Sequence, residues 1–164
     1  MFKHAPGEGL AAHTDSDWAS DPIMRRSVTG YYFTLASGPI TWQSRAQTTV
    51  AHSLTEAKYM ALSDCSHQVS WIQNVFLELG ICLGPILVYG DNQGSIFIGS
   101  NPVQEICTKH IDIKYHYVCE CIAEKKIDMF FVSSEDNTAN LLTKNLGRLK
   151  FEKFRAQLGL EFLP

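Results

Sequence analysis

Ile86-Leu87-Val88-Tyr89-Gly90-Asp91-Asn92 is a short apolar run, bounded by Gly84 and Gly90, that ends on an acid and an amide. A strand without polar alternation is the kind buried on both faces, as in sheets whose two sides are covered by helices. The residues upstream supply a crossover to it. From Ser53 to Leu79 the apolar positions Leu54, Ala57, Ala61, Cys65, Val69, Ile72, Phe76 and Leu79 recur every three or four residues, the period of a long amphipathic helix with at most one break. Ser53 with Glu56 three residues later has the form of a capping box, and Gly80 stands where a C-cap is expected.

Further outward, Leu10 to Thr14 is short and mostly apolar and runs into the polar Asp15-Ser16-Asp17, which predicts a strand entering a turn. Gly30 to Leu35 is rich in aromatic and β-favouring residues, Ser37-Gly38 offers a turn, and Pro39 to Gln43 is the return strand. Downstream, Asp91-Asn92 caps a short helix, about 108 to 126 suits another, 127 to 132 a strand, and 139 to 158 one or two helices interrupted at Gly147. Three leading strands in an antiparallel meander, then strands entered through helices, imply an α/β fold. The sheet is mixed and five-stranded, with helices on both faces. The expected organisation is a loose leader over 1–9, which has no apolar run, and one domain over 10–160.

With 164 residues, 45% hydrophobic and 19% charged, the chain can bury one sizeable core. It has no stretch near the ~18 apolar residues of a membrane span, so a soluble, intracellular protein is expected. Its five cysteines include no C-x-x-C pair, which disfavours a disulfide framework or structural zinc and predicts reduced, mostly buried thiols. The net charge of −3 gives no global nucleic-acid signal. Nine of the fourteen lysines and arginines nevertheless lie from Lys109 onward, with Glu152 the one acid between Lys144 and Arg155. Such a run is either a solvated helix face or a phosphate-contacting patch.

Asp15 follows the first strand, Asp91 follows the buried one, and Glu56 opens the long helix. In an open α/β sheet, ligands gather beyond the carboxyl ends of the strands, so these acids can share a cleft. Clustered carboxylates repel unless a hard divalent cation such as Mg2+ or Mn2+ neutralises them. Two such ions about 4 Å apart can hydrolyse a phosphodiester by in-line displacement. Each acid also has a plain structural reading: Asp15 as a turn residue, Glu56 as a capping partner, Asp91 as an N-cap.

The wording around the acids carries more. Thr-Asp-Ser-Asp-Trp-Ala-Ser-Asp (14–21), Arg-Arg-Ser-Val-Thr-Gly-Tyr (25–31), Ile-Thr-Trp-Gln-Ser-Arg-Ala-Gln (40–47) and Ser-Leu-Thr-Glu-Ala-Lys-Tyr-Met-Ala-Leu (53–62) come first. Tyr-Gly-Asp-Asn-Gln-Gly-Ser-Ile (89–96), Thr-Lys-His-Ile-Asp-Ile-Lys-Tyr-His (108–116) and Ala-Asn-Leu-Leu-Thr-Lys (139–144) follow in the same fixed order. Together they resemble the ribonuclease H domain of copia-type retrotransposon polyproteins. The resemblance implies a metal-dependent endonuclease that follows a reverse transcriptase domain and removes the RNA strand of RNA/DNA hybrids. It implies work in the cytoplasm or in a virus-like particle.

By resemblance, Asp15 and Asp91 are metal-binding catalytic aspartates. Where the family reads Glu-Ala-Glu-Tyr this chain has Glu56-Ala57-Lys58-Tyr59, so position 56 or 58 is the ligand position, and Glu56 is nominated as the acid present. Residues two apart on a helix point about 200° apart, so Glu56 cannot simply replace a ligand lost at 58. The family's last aspartate is Asn140 here, a weaker ligand with one charge fewer, and Asp136 is a conceivable stand-in. Arg25, Arg26, Lys109, His110 and Lys144 are the candidate nucleic-acid contacts. Trp18, Trp42 and Trp71 suit packing anchors more than a base-stacking platform, and His116 with Cys119 lacks a second pair for zinc. Besides the active nuclease, the substitutions at 58 and 140 fit a nucleic-acid-binding relic or, more remotely, a protein-interaction domain.

Overall fold

A computed structural model describes residues 9–36, 38–94 and 109–160, apart from the side chains of 109–112. The elements are β1 (Ala11–Ser16), β2 (Val28–Leu35), β3 (Gly38–Ala46), α1 (Leu54–Glu78), β4 (Ile86–Gly90), α2 (Lys109–Ala123) and β5 (Ile127–Phe131). A 3-10 helix (Thr138–Leu142) and α3 (Arg148–Gln157) close the chain. The leader expected over 1–9 lies, apart from Gly9, outside the described residues, as do Cys107 and most of the helix expected after Asp91.

The five strands form one sheet in the order β3-β2-β1-β4-β5. β1, β2 and β3 pair antiparallel, whereas β4 runs parallel to β1 and β5 parallel to β4. The sheet is thus mixed and helix-covered, as the sequence pattern predicts, because the first three strands are joined by turns and the last two are entered through helices.

Alternation along β2 assigns the two faces. Tyr31 and Phe33 join Leu62, Cys65, Val69 and Ile72 of α1 and Val118 and Cys121 of α2 in the main core. Gly30 and Tyr32 point the other way, to the 3-10 helix: the Tyr32 hydroxyl is hydrogen-bonded with Thr138. A Cβ on Gly30 would lie 2.5 Å from the Thr143 methyl and 2.8 Å from Leu142 Cβ, so glycine is what lets that segment close on the sheet.

Helix α1 is one unbroken element of 25 residues. The Ser53 hydroxyl accepts from Glu56 N (3.1 Å), while Glu56 Oε2 accepts from His52 N (2.8 Å), one residue before the classical capping-box partner. At the other end Gly80, with φ +76°, donates to Leu77 O and Ile81 N donates to Phe76 O, the Schellman pattern.

The expectation that the tryptophans anchor the core is corrected: Trp18, Trp42 and Trp71 are 53%, 65% and 59% exposed. Trp42 lies on the edge strand β3, Trp71 is on α1 outside its buried positions, and Trp18 is held by its indole N–H donating to Ala51 O (3.2 Å). Cys65 and Cys121 are buried free thiols and Cys119 is half-buried, but Cys82 is exposed. No described helix is long and apolar enough to cross a membrane.

Candidate functional site

The parallel register of β1 and β4 pairs Thr14 with Gly90, so the next residues, Asp15 and Asp91, emerge side by side at the carboxyl ends of adjacent strands. Asp15 still belongs to β1, opposite Gly30 of β2, and Asp91 is the first residue beyond β4. Their side chains are 0% and 1% exposed. The topology therefore creates a costly object, two buried carboxylates facing one cleft.

What compensates them is cationic side chains. Lys58, in the second turn of α1 and 8% exposed, places its Nζ 2.5 Å from Asp91 Oδ1 and 3.4 Å from Asp15 Oδ1. Lys144, 38% exposed, brings its Nζ within 3.1 Å of Asp15 Oδ2 and donates to Asn140 Oδ1 (2.5 Å). The hydroxyl of Thr143 donates to Asp15 Oδ2 and that of Ser134 to Asp91 Oδ2. Burial pushes the Asp91 carboxyl up, but hydrogen bonds from Lys58 and Ser134, with the charges of Lys58 and Lys144, outweigh it and hold the group below its ordinary value.

Of the acids nominated from sequence, Asp15 and Asp91 are brought together and Glu56 is not. Its carboxylate caps the start of α1 beside Thr49, His52 and Lys114, on the other side of the helix. The helical turn explains this, since Lys58, two residues on, takes the face toward the strands. Asn140 lies next to the cluster but does not offer its oxygen to the cleft. Its amide nitrogen donates to Ser134 O (2.9 Å) and Asn137 O (2.7 Å), which turns Oδ1 to Lys144. Asp136 does not stand in for it: the carboxylate is exposed and takes a hydrogen bond from Lys153 (2.9 Å).

The donor set does not suit a pair of divalent cations. Two aspartates are matched by two ammonium groups, leaving no net negative charge. The space among Thr14, Asp15, Lys58, Gly90 and Asp91 is about 10 Å3, room for one water at most. Among the described residues no group of three or more His, Cys, Asp or Glu is placed to hold a metal ion.

Lys144, nominated for nucleic acid, is turned inward to Asp15. Arg25 is exposed and Arg26 half-buried on the loop that continues β1 beyond Asp15, with Arg25 at φ +53°. Lys109 and His110 begin α2, and their side chains lie outside what is described. The basic run of α3 is largely paired, through Arg148 with Glu152, Lys150 with Glu135 and Lys153 with Asp136.

Sequence reasoning missed Ser134, Thr143, Asn137 and His13. Thr143 lies within the 139–144 motif, but its role as a donor to Asp15 leaves no mark in spacing. Asn137, fully buried, donates to Thr14 O (2.9 Å) and accepts from Ala139 N (3.2 Å), tying the 3-10 helix to β1. His13, two residues before Asp15, is stacked against Tyr32 and Tyr89, and burial pushes its pKa down to about 4.

No family model matches the chain. It is 37% identical, over 92% of its length, to the retrovirus-related Pol polyprotein from transposon TNT 1-94 of Nicotiana tabacum. It is 36% identical, over 94%, to that from transposon RE1 of Arabidopsis thaliana. The chain spans 11% of the length of each of these polyproteins. Its fold matches that of LC11-RNase H1, solved in complex with an RNA/DNA hybrid, with a TM-score of 0.59 over 82% of this chain and 93% of that one. At 13% identity this likeness is one of fold.

Proposed function

We propose that this chain is the ribonuclease H segment of a retrovirus-related transposon Pol polyprotein, and that it holds RNA/DNA hybrid without cutting it. One observation carries the reading. The Lys58 ammonium stands between Asp15 and Asp91, where hydrolysis would need Mg2+ or Mn2+. With Lys144 on the outer oxygen of Asp15, the carboxylates have lost the charge that would draw in two ions. Neither aspartate can then serve as a catalytic residue, and Glu56 caps a helix.

Hybrid binding is supported by a protein of the same fold solved on such a duplex, and by Arg25 and Arg26 on the loop at the Asp15 end of the sheet. In the parent polyprotein the reverse transcriptase segment would present the hybrid, inside the cytoplasm or a virus-like particle. Lys109 and His110, at the start of α2, belong to the same proposed footprint.

The rival reading is the metal-dependent copia-type endonuclease, which the convergence of Asp15 and Asp91 favours but which needs Lys58 displaced. The purified chain is titrated against a labelled hybrid by fluorescence anisotropy at several salt concentrations, then incubated with Mg2+ or Mn2+. The expected result is binding that weakens steeply with salt and no cleavage. Metal-dependent cleavage that disappears in Asp91→Asn would establish the endonuclease instead.

A further inference from the structure

We infer that Lys58 is a resident counter-ion, and that it alone keeps the Asp15–Asp91 cleft from being a site for one divalent cation. The inference rests on the cluster used in the proposed function, but it does not require hybrid binding.

The two carboxylates are held in a particular way. Each has one oxygen tied back: Asp15 Oδ2 by Thr143 and Lys144, Asp91 Oδ2 by Ser134. The remaining pair, Asp15 Oδ1 and Asp91 Oδ1, converge on a single atom, Lys58 Nζ. Asp15 Oδ1 makes no hydrogen bond of its own, so the ion pair with Lys58 at 3.4 Å is its compensation. Two oriented carboxylate oxygens directed at one positive charge are what a hard cation needs from a protein, with water completing its shell.

In this chain the positive charge is covalently attached. Lys58 lines this cleft together with Leu62 and Met129, so its side chain also takes up volume that an ion and its waters would occupy, and about 10 Å3 is left. Shortening the side chain removes the charge and opens the space together. A glutamate there adds a third carboxylate from the buried face of α1. One ion is the limit, since the oxygen of Asn140 is taken by Lys144.

The test measures metal binding and stability without nucleic acid. Wild type, Lys58→Glu, Lys58→Met and Lys58→Glu with Asp91→Asn are titrated with Mn2+, followed by electron paramagnetic resonance and by thermal unfolding. Wild type should show no specific Mn2+ binding and an unchanged unfolding midpoint. Lys58→Glu should bind one Mn2+ at least about tenfold more tightly than wild type, because affinity follows ligand charge. Its midpoint should rise by about 5 °C or more at saturation, and Asp91→Asn should abolish both effects. If Lys58→Glu folds only with Mn2+, the inference holds. If it does not fold at all, Lys58→Met decides, and should bind Mn2+ more tightly than wild type but more weakly than a glutamate would allow. Specific Mn2+ binding by wild type that Asp91→Asn removes would overturn the inference, and so would a folded Lys58→Met blind to the metal. Failure to bind hybrid would leave it standing.

Discussion

Lys58 and Leu62 stand one turn apart on the same face of α1, and both are buried, at 8% and 1% exposure. Leu62 shares the main core with Phe33, Tyr59 and Val88, an apolar layer whose stabilisation is non-directional and grows with the area removed from water. Around Lys58 lie two carboxylates, two hydroxyls and a second ammonium, each worth something only while its partners are present. The helix therefore carries two kinds of interior. Loss of a group from the apolar layer leaves a void, whereas loss from the cleft leaves an orphaned charge, and a void cannot be repaired by deleting a neighbour.

The largest effect tests that difference directly. Leu62→Ala should cost about 3 kcal/mol in urea unfolding, through lost transfer energy and a residual cavity. Lys58→Met should cost a similar amount, about 3 kcal/mol, because it breaks a buried pair on one side only. Adding Asp91→Asn should recover most of the loss in Lys58→Met and none of it in Leu62→Ala. A double-mutant cycle that gives no coupling between positions 58 and 91 would erase the distinction.

The same difference governs what the sequence could disclose. The apolar layer was legible because burial imposes a period: the spacing from Leu54 to Leu79 predicts α1, and the run at 86–89 predicts β4. The convergence of Asp15 with Asp91 was legible too, since both stand at the ends of strands that the topology makes neighbours. Which residue faces them was not. Glu56 and Lys58 both fit the motif, and only the rotation of α1 chooses between them. The hydroxyls of Ser134 and Thr143 come from more than 40 and 120 residues away, a proximity that no local spacing encodes. Trp42 misled for a related reason: it lies on β3, and its exposure depends on that strand being the sheet's edge.

His13 belongs to neither interior: it lies on the face of β1 opposite Ala12, with an aromatic ring on either side. Its imidazole is neutral when folded, with a pKa of about 4 against 6.5 for the free group. As pH falls below 6.5 the unfolded chain takes up this proton first. The stability due to His13 is therefore complete above about pH 6.5, declines between 6.5 and 4, and changes no further below. The shift corresponds to roughly 3 kcal/mol. Asp91, held below its ordinary value, loses its contribution only at lower pH, as it is protonated through its folded pKa. Urea midpoints between pH 7.5 and 4.5 should thus fall in wild type and flatten in His13→Phe, which keeps the stacking but cannot titrate. An equal slope in both would mean that the acid sensitivity arises elsewhere.

The smallest effect bears on Glu56, the acid that the motif offered and the fold withdrew. At the start of α1 its carboxylate accepts from His52 N, and its own N–H is held by the Ser53 hydroxyl. Ser53→Ala should cost about 1 kcal/mol, the usual worth of an N-cap. Glu56→Gln keeps an oxygen for His52 and should cost less than that. Neither change should alter hybrid binding or the Mn2+ response of Lys58→Glu, because the cap and the cleft lie on opposite sides of one helix turn. If Glu56→Gln instead abolished the metal response of the Lys58→Glu chain, Glu56 would be a ligand after all. The helix would then have to rotate on loading, and the contrast between Lys58 and Leu62 would hold only for the metal-free protein.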